Sequence, residues 1–186
     1  MIQRHGVPDT GNWEKILSKE MPKWIKVYNE AGVKEDYSPC SHSVSHVKNS
    51  FVVCSTLQRS RHSAKLLQVN NAKSYSLFCE VELPVINIPF VKFTPHVWSM
   101  IFRVFWFVGI SKKTESKAQI AKRVSLACKT LEELAQKHTQ VHLVGHGIMN
   151  RLIAQQLLKS GWKSEEVPEG KKYYGFSYWE YSEFRK

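Results

Sequence analysis

Residues 141–148 read Val141-His142-Leu143-Val144-Gly145-His146-Gly147-Ile148, and this stretch decides the fold. Its first four residues are mostly apolar, as in a buried strand. The two glycines beside His146 permit a sharp turn of the backbone, and residues 148–159 then carry apolar side chains at helical spacing. A strand, a turn and a helix in this order are typical of an α/β domain with a parallel sheet.

The same rhythm occurs at residues 1–4 and 51–54, which are also predicted to be buried strands followed by turns. The aromatic tail at residues 173–181 predicts a closing strand at an edge of the sheet. No repeat or Pro/Gly-rich linker divides the chain, so residues 1–186 are predicted to form one domain. Further helices are predicted over residues 56–68, residues 115–138 and residues 13–31, the last interrupted at Pro22.

Residues 97–110 form a long apolar and aromatic stretch. Apolar side chains recur at helical spacing, which predicts a buried or pocket-covering helix; they are Val97, Ile101, Phe105 and Val108. This helix lies in a candidate pocket-covering insertion over residues 84–114. An interfacial membrane helix is the alternative, but it would need a more basic polar face.

The formal net charge is +11, and the basic residues occur in short groups rather than in one long run. We therefore expect a solvated basic surface, with no nucleic-acid partner and no membrane partner. The four cysteines lie far apart without a Cys-x-x-Cys pair, so a zinc ribbon and a redox dithiol are unsupported. No apolar leader segment follows the first residues, so a reduced, cytoplasmic location is expected.

Two histidines lie where predicted strands end, His5 in Arg4-His5-Gly6 and His146 in Gly145-His146-Gly147. Ligands bind beyond the carboxyl ends of strands in an open parallel sheet, so these imidazoles are expected to converge. Arg59 begins the helix after another strand and is expected at the same rim. Because neutral imidazole is nucleophilic and guanidinium groups bind phosphate oxygens in pairs of hydrogen bonds, this combination predicts phosphoryl transfer.

Phosphoryl transfer also needs an acid that protonates the departing oxygen. Glu80 and Glu82 are the candidates. Their side chains point to the same side of an extended stretch, so spacing alone leaves both open.

These residues lie in motifs that resemble, in order, those of the histidine phosphatase (phosphoglycerate mutase-like) superfamily. The resemblance spans residues 4–151 and is specific for the superfamily, not for a substrate. The blocks are Arg4-His5-Gly6, the stretch 55–64 that is similar to Ser-x-Leu-x-Arg-Ala-x-x-Thr-Ala, Glu115-Ser116 followed by Arg123, and Leu143-Val144-Gly145-His146-Gly147.

The resemblance implies a three-layer α/β/α fold with a mostly parallel central sheet, no metal and no cofactor. It implies that His5 becomes phosphorylated, and its context favours Glu80 over Glu82 as the proton donor. The expected partner is a small phosphorylated substrate or a phosphopeptide. The phosphoryl group would be bound by Arg4, Gly6, Arg59, His146 and Gly147.

Two departures from the family pattern bear on the activity. The family often reads Phe-Gly-x-Trp-Glu-Gly after the acid, whereas this chain reads Leu83-Pro84-Val85-Ile86. The chain also lacks the long insertions of the glycolytic mutases. A phosphomonoester hydrolase is therefore the first prediction, with a phosphomutase and a non-catalytic module that binds phosphorylated partners as alternatives.

Several other polar residues are predicted to lie outside the site. Arg61 is expected to face away from Arg59, and His62 is expected on solvated helix surface. His42 and His46 are interpreted as loop histidines rather than a metal pair.

Ser55, His96 and Trp98 each allow two interpretations. Ser55 is expected to cap a helix rather than bind phosphate. His96 and Trp98 fit a substrate pocket and core packing equally.

Overall fold

The computed structural model describes residues 1–165 and 177–186 of the chain. Within these residues the strands are β1 (Ile2–Arg4), β2 (Ile16–Leu17), β3 (Phe51–Ser55), β4 (Lys73–Tyr75), β5 (Lys92–Phe93), β6 (Val141–Gly145) and β7 (Tyr181–Ser182). The α-helices are α1 (Met21–Glu30), α2 (Ser41–Val47), α3 (Gln58–Leu66), α4 (Pro95–Phe107), α5 (Lys117–Lys137) and α6 (Gly147–Lys159).

The central sheet has the strand order β4-β3-β6-β1-β7. The first four strands are parallel, and β7 pairs antiparallel with β1 at the edge. The three strands predicted from the sequence are β1, β3 and β6, which lie side by side in the middle of the sheet. The short strands β2 and β5 form a separate antiparallel pair.

Helices cover both faces of this sheet. Val53 and Leu143 pack in one core cluster with residues of α5 and α6. Their neighbours Val52 and Val144 point the other way and pack with residues of α2 and α3. This alternation follows from the pleat of a strand, and it confirms the predicted three-layer α/β/α architecture.

The prediction for residues 115–138 is confirmed by α5, whose apolar stripe is buried. The helix begins with a capping box, in which the Ser116 hydroxyl accepts from the Gln119 backbone N–H and the Gln119 side chain accepts from the Ser116 N–H. The buried residues on this helix are Ile120, Val124, Ala127, Cys128 and Leu131.

The predicted helix over residues 13–31 is wrong in its first half. Residues 16–17 form β2, Ser18–Glu20 form a 3-10 turn, and α1 begins only at Met21. Pro22 lies in the first turn of α1. Proline lacks an N–H and is tolerated at this position because the first N–H groups of a helix have no partner within it.

The tail prediction is confirmed in one part. Residues 181–182 form the edge strand β7, while residues 177–180 precede it without strand structure. The portion at residues 173–176 lies outside the described residues.

The helix predicted over residues 97–110 is confirmed as α4, but of its four regularly spaced apolar residues only Ile101 and Phe105 pack against the core. The buried side chains on α4 are Trp98, Phe102 and Trp106, whereas Val97 and Val108 are exposed by 39% and 69%. Trp98 and Phe102 pack against Met21 and Trp24 of α1. The large aromatic rings remove more apolar area from water than the valines would, so they take the core-facing side.

None of the helices in residues 1–165 and 177–186 has the length and apolar character needed to cross a membrane.

Candidate active site

The two histidines expected to converge do lie together at the carboxyl ends of β1 and β6. His5 follows β1, and its backbone N–H donates to the Gly145 carbonyl at 3.1 Å. His146 is the N-cap residue of α6. Both side chains are buried, and their ring centroids are 5.0 Å apart.

A backbone contact fixes the tautomer of His5. Its Nδ1 lies 2.7 Å from the carbonyl oxygen of Gly6. A carbonyl oxygen only accepts hydrogen bonds, so Nδ1 carries the proton and donates it. In the neutral ring, Nε2 then keeps its lone pair, which is the form required of a nucleophile.

The surroundings keep both rings neutral. Burial lowers the pKa of His5 well below 6.5, and the positive charges of Arg59 and Arg4 lower it further. Burial and Arg59 likewise hold the pKa of His146 well below 6.5, with smaller contributions from His5 and Arg4. The cations that could bind an anion therefore also prevent the imidazoles from protonating.

These lowered pKa values predict an acid-labile fold. His142, also buried, has a pKa lowered in the same way. Below pH 6.5, His5, His142 and His146 become protonated in the unfolded chain but stay neutral in the folded protein. The free energy of unfolding therefore falls as the pH drops. We expect a slope of about 4 kcal/mol per pH unit for the three groups until their folded pKa values are reached.

Urea unfolding followed between pH 7.5 and pH 5.5 measures this slope. His142→Gln is the matched variant, because an amide can replace the hydrogen bond from His142 Nε2 to Gln3 Oε1 without titrating. It should reduce the slope by about one third. A free energy of unfolding that stays constant across this range would contradict the prediction.

Arg59 lies at the same rim, as predicted from its position at the start of α3. Its side chain is buried, and Nη1 donates to the Tyr28 carbonyl and to Asn29 Oδ1, each at 3.1 Å. The guanidinium carbon lies 4.3 Å from the centre of the Tyr28 ring. Burial lowers the pKa of Arg59, which shows how far this cation is removed from water.

A second cation, Arg4, stacks on an aromatic ring from the tail. Its guanidinium carbon lies 4.1 Å from the ring centre of Tyr178, and that ring is 5.7 Å from the His5 ring. The aromatic pattern of the tail predicts only a strand for Tyr178 and does not indicate this contact. Tyr28 and Asn29 are also not indicated, because no sequence motif connects them to Arg59.

Two buried nitrogens in this site lack a hydrogen-bond partner in the described part of the chain. Among residues 1–165 and 177–186, neither Nε of Arg59 nor Nδ1 of His146 forms a hydrogen bond. A buried polar group without a partner is costly, so such atoms usually indicate a bound group or a functional role. An anion seated between these two residues would satisfy both.

Of the two acid candidates, Glu80 is the one built into the site. Its carboxylate accepts hydrogen bonds from the backbone N–H groups of Val81 at 2.9 Å, Ile148 at 3.2 Å and Met149 at 3.0 Å. The last two belong to the first turn of α6, where a helix favours negative charge. Glu82 is exposed, although it also lines the cavity described below.

The interpretation of Ser55 as a helix cap is wrong. The N-cap residue of α3 is Leu57, and Ser55 ends β3. The Ser55 hydroxyl instead lies 2.6 Å from Nε2 of His146 and accepts from the Leu57 N–H at 3.2 Å. Ser55 therefore holds the second histidine in place.

Asn150 is a further residue that the sequence analysis missed. Its Oδ1 accepts from the His146 backbone N–H at 3.1 Å, and its Nδ2 donates to the Gln3 carbonyl at 3.0 Å. A Cβ added at Gly145 would overlap Asn150 Oδ1, so only glycine leaves room for this amide. Its sequence signal is the position one helical turn after His146.

Gly145→Ala is therefore expected to destabilise the protein by about 2 kcal/mol or more, because the amide must move and abandon both bonds. In an Asn150→Ala background the same change should cost less than about 1 kcal/mol, since the obstacle is gone. A double-mutant cycle by urea unfolding measures the difference. Equal costs in the two backgrounds would show that Asn150 is not the cause.

The glycine after His5 is also required by a close approach. A Cβ at Gly6 would lie 2.6 Å from the indole ring of Trp179, and the Gly6 N–H donates to Ser63 Oγ at 2.9 Å. Gly147, the other glycine predicted to bind substrate, begins α6 beside Arg4.

The residues predicted outside the site are outside it, with two corrections of detail. Arg61 is exposed, as expected. His62 is half-buried rather than solvated, because its Nδ1 accepts from the Val33 N–H at 3.1 Å. His42 and His46 lie on α2 rather than in a loop.

The imidazole of His42 pairs with Glu183, at 2.9 Å between Nε2 and Oε1. Across the described part of the chain, no group of three or more His, Cys, Asp or Glu side chains could hold a metal ion.

A cavity of about 880 Å³ opens over the site. Arg4, Arg59, Glu80 and Gly147 line its polar end. The rest of its wall is largely apolar and includes Trp24, Ile25, Leu83, Val85 and Met100. The sequence left both His96 and Trp98 open between pocket and core. His96 lines the cavity, whereas Trp98 is fully buried in the core.

Neither a protein-family model nor a curated protein sequence matches this chain. Solved structures do match. The protein of an open reading frame from Mycobacterium tuberculosis superimposes with a TM-score of 0.58 and 16% identity, over 85% of this chain and 78% of the other. This chain has the histidine phosphatase fold.

Two further structures share the histidine phosphatase fold and carry functional names. A putative alpha-ribazole-5'-P phosphatase from Escherichia coli matches with a TM-score of 0.52 and 16% identity, over 84% of this chain and 77% of its own. A mycobacterial glucosyl-3-phosphoglycerate phosphatase matches with a TM-score of 0.51 and 16% identity, over 85% of this chain and 78% of its own. The resemblance drawn from the motifs is thus confirmed for the fold.

Proposed function

We propose that this protein is a phosphomonoester hydrolase that acts through a phosphohistidine on His5. The observation that carries the proposal is the fixed tautomer of His5, whose Nδ1 donates to Gly6 and whose Nε2 keeps its lone pair beside Arg59 and His146. A buried, neutral and oriented imidazole next to two guanidinium groups suits attack on a phosphorus atom. The two named phosphatases with the same fold support this reading.

In the first step, His5 Nε2 attacks the phosphorus of a bound phosphomonoester in line with the leaving oxygen. The N–P bond forms as the P–O bond breaks, and the electron pair of that bond goes to the leaving oxygen. The Glu80 carboxyl group donates a proton to this oxygen, so that a neutral alcohol departs.

The positive charge that stabilises the transferring group comes from the chain itself. Arg4 and Arg59 bind the phosphoryl oxygens, and the backbone at Gly6 and Gly147 allows their close approach. His146 binds the same group through Nδ1, the ring nitrogen that is not bonded to Ser55. A phosphate dianion opposes the effect of the arginines on the pKa of His146 and favours its protonated form.

In the second step, water attacks the phosphohistidine while the Glu80 carboxylate accepts the proton from that water. The N–P bond breaks, its electron pair returns to Nε2 of His5, and inorganic phosphate leaves. The cycle needs no metal ion and no cofactor.

The cavity wall favours hydrolysis over a mutase reaction. A phosphomutase must hold a second phosphate, which needs cations at the far end of the cavity. The further arginine on the cavity wall, Arg103, lies within electrostatic reach of Glu80, and both of its terminal nitrogens donate to the Val81 carbonyl, at 3.0 and 3.1 Å. The apolar side chains on the same wall suit a small substrate with an apolar or aromatic leaving group.

A panel of phosphomonoesters tests the proposal: aryl phosphates, sugar phosphates, a nucleotide and a phosphopeptide. We expect release of inorganic phosphate, with kcat/KM for aryl phosphates at least about tenfold above that for sugar phosphates. Excess EDTA should leave these rates unchanged. Transfer to an added alcohol phosphate instead of water would favour the mutase, and binding without turnover would favour the non-catalytic module.

A further inference from the structure

An apolar surface remains exposed on α4 and on the loop before it. We define the α4 outer face by Phe90, Val97, Met100, Val104 and Val108. Phe90 is 96% exposed, Met100 70% and Val104 59%. With 3.6 residues per turn, Val97, Met100 and Val104 of α4 and Val108 at its C-cap share an arc of about 80°, opposite the buried aromatic residues of the helix.

The charged residues in the segment that carries this face all have one sign. The stretch 84–114 contains no Asp or Glu, and its lysines are Lys92, Lys112 and Lys113. Lys92 precedes α4, the other two follow its end, and all three are exposed. An apolar helix face with lysines at both ends and no acidic residue is complementary to a bilayer with anionic headgroups.

We propose that the α4 outer face docks on the surface of an anionic membrane. Its apolar side chains insert at the level of the headgroups while the three lysines contact lipid phosphates. A second copy of this chain fits less well, because symmetric pairing through this face would bring like-charged lysines together. The helix lies on the surface, since its opposite face is buried against α1.

This inference replaces the expectation of no membrane partner. That expectation rested on the scattered basic residues and on the lack of a basic polar face along this helix, whereas lysines at both ends of α4 flank apolar side chains that face solvent. Met100 belongs to the α4 outer face and also lines the cavity, so the docked protein would hold its cavity mouth close to the lipid. The docking itself does not depend on the proposed phosphatase activity.

Flotation of the full chain with lipid vesicles tests the proposal. Binding to vesicles of phosphatidylcholine with phosphatidylglycerol should exceed binding to phosphatidylcholine alone by about tenfold and weaken with salt. Phe90→Asn with Val104→Gln should reduce binding by about tenfold or more. Phe90 has a positive φ of 66°, which asparagine tolerates, and glutamine suits a helix, so the fold should persist.

Lys112→Gln with Lys113→Gln should lower binding to the anionic vesicles by about tenfold and leave the weak binding to neutral vesicles unchanged. Leu126→Gln is the matched control, because Leu126 is 55% exposed on α5, away from this face, and its change should have no effect. Hydrolysis of a soluble aryl phosphate by the Phe90/Val104 variant separates this test from the proposed function, and it should stay at the wild-type rate.

Two results would overturn the proposal. One is equal, weak flotation of the wild type with both kinds of vesicle. The other is a dimer in analytical ultracentrifugation that Val104→Gln converts to a monomer, which would assign the face to a second copy of the chain.

Discussion

Replacing His5 with Ala should lower kcat/KM for an aryl phosphate by about 10⁴-fold or more, because the change removes the imidazole proposed to form the covalent intermediate. The wild-type protein, quenched during turnover of a labelled substrate, should carry phosphate that is lost in acid and retained in alkali. The variant should carry none.

His42→Ala is the matched control for this change. His42 is a partly exposed histidine on α2 that pairs with Glu183, on an element that does not line the cavity. Its replacement should leave kcat/KM within about twofold of the wild type. If His5→Ala retained wild-type turnover, the phosphohistidine mechanism would be excluded.

Because Glu80 is the proposed proton donor, the effect of Glu80→Gln on kcat/KM should depend on the leaving group of the substrate. For an alkyl phosphate, whose alkoxide needs a proton, we expect kcat/KM to fall by about 10³-fold. For 4-nitrophenyl phosphate, whose phenolate leaves without help, the fall should be less than about tenfold. Steady-state kinetics with both substrates gives the comparison.

Glu82→Gln is the control from the same extended stretch. Glu82 is exposed and lacks the contacts of Glu80 with α6, so its change should leave both substrates within about threefold of wild type. A large loss confined to Glu82→Gln would transfer the acid role to that residue. Equal losses of both substrates in Glu80→Gln would indicate a positioning residue instead.

The carboxylate of Glu80 is held by backbone hydrogen bonds at the start of α6. Two backbone N–H groups of α6 and one of Val81 donate hydrogen bonds to the carboxylate of Glu80. To donate a proton, the carboxyl group must give up at least one of them. A phosphate dianion bound at the N-terminus of α6 would compete with the Glu80 carboxylate for the same backbone N–H donors. This competition favours the loss of one of the hydrogen bonds to Glu80.

The prediction of the fold succeeded where local pattern and burial agree. β1, β3 and β6 are short apolar runs that end in polar or glycine-containing turns. Central strands of a parallel sheet are covered on both faces, so their side chains are buried there. The capping box at Ser116 marks the start of α5 in the sequence itself.

The prediction failed where two faces of one helix were both apolar. Along α4 the valines and the aromatic residues each recur at helical spacing, so periodicity could not say which side faces the core. The contact with Met21 and Trp24 of α1 decides it, and that contact joins segments about seventy-five residues apart.

The sequence by itself determined the order of strands and helices and the positions of His5, Arg59 and His146 at the ends of β1, β3 and β6. Local hydrophobic pattern and turn residues carry that information. Only the tertiary structure decided the tautomer of His5, the contacts of Ser55 and Asn150 with His146, the hydrogen bonds of Glu80 with α6 and the outward face of α4. Each depends on atoms from distant segments whose separation a linear pattern does not contain.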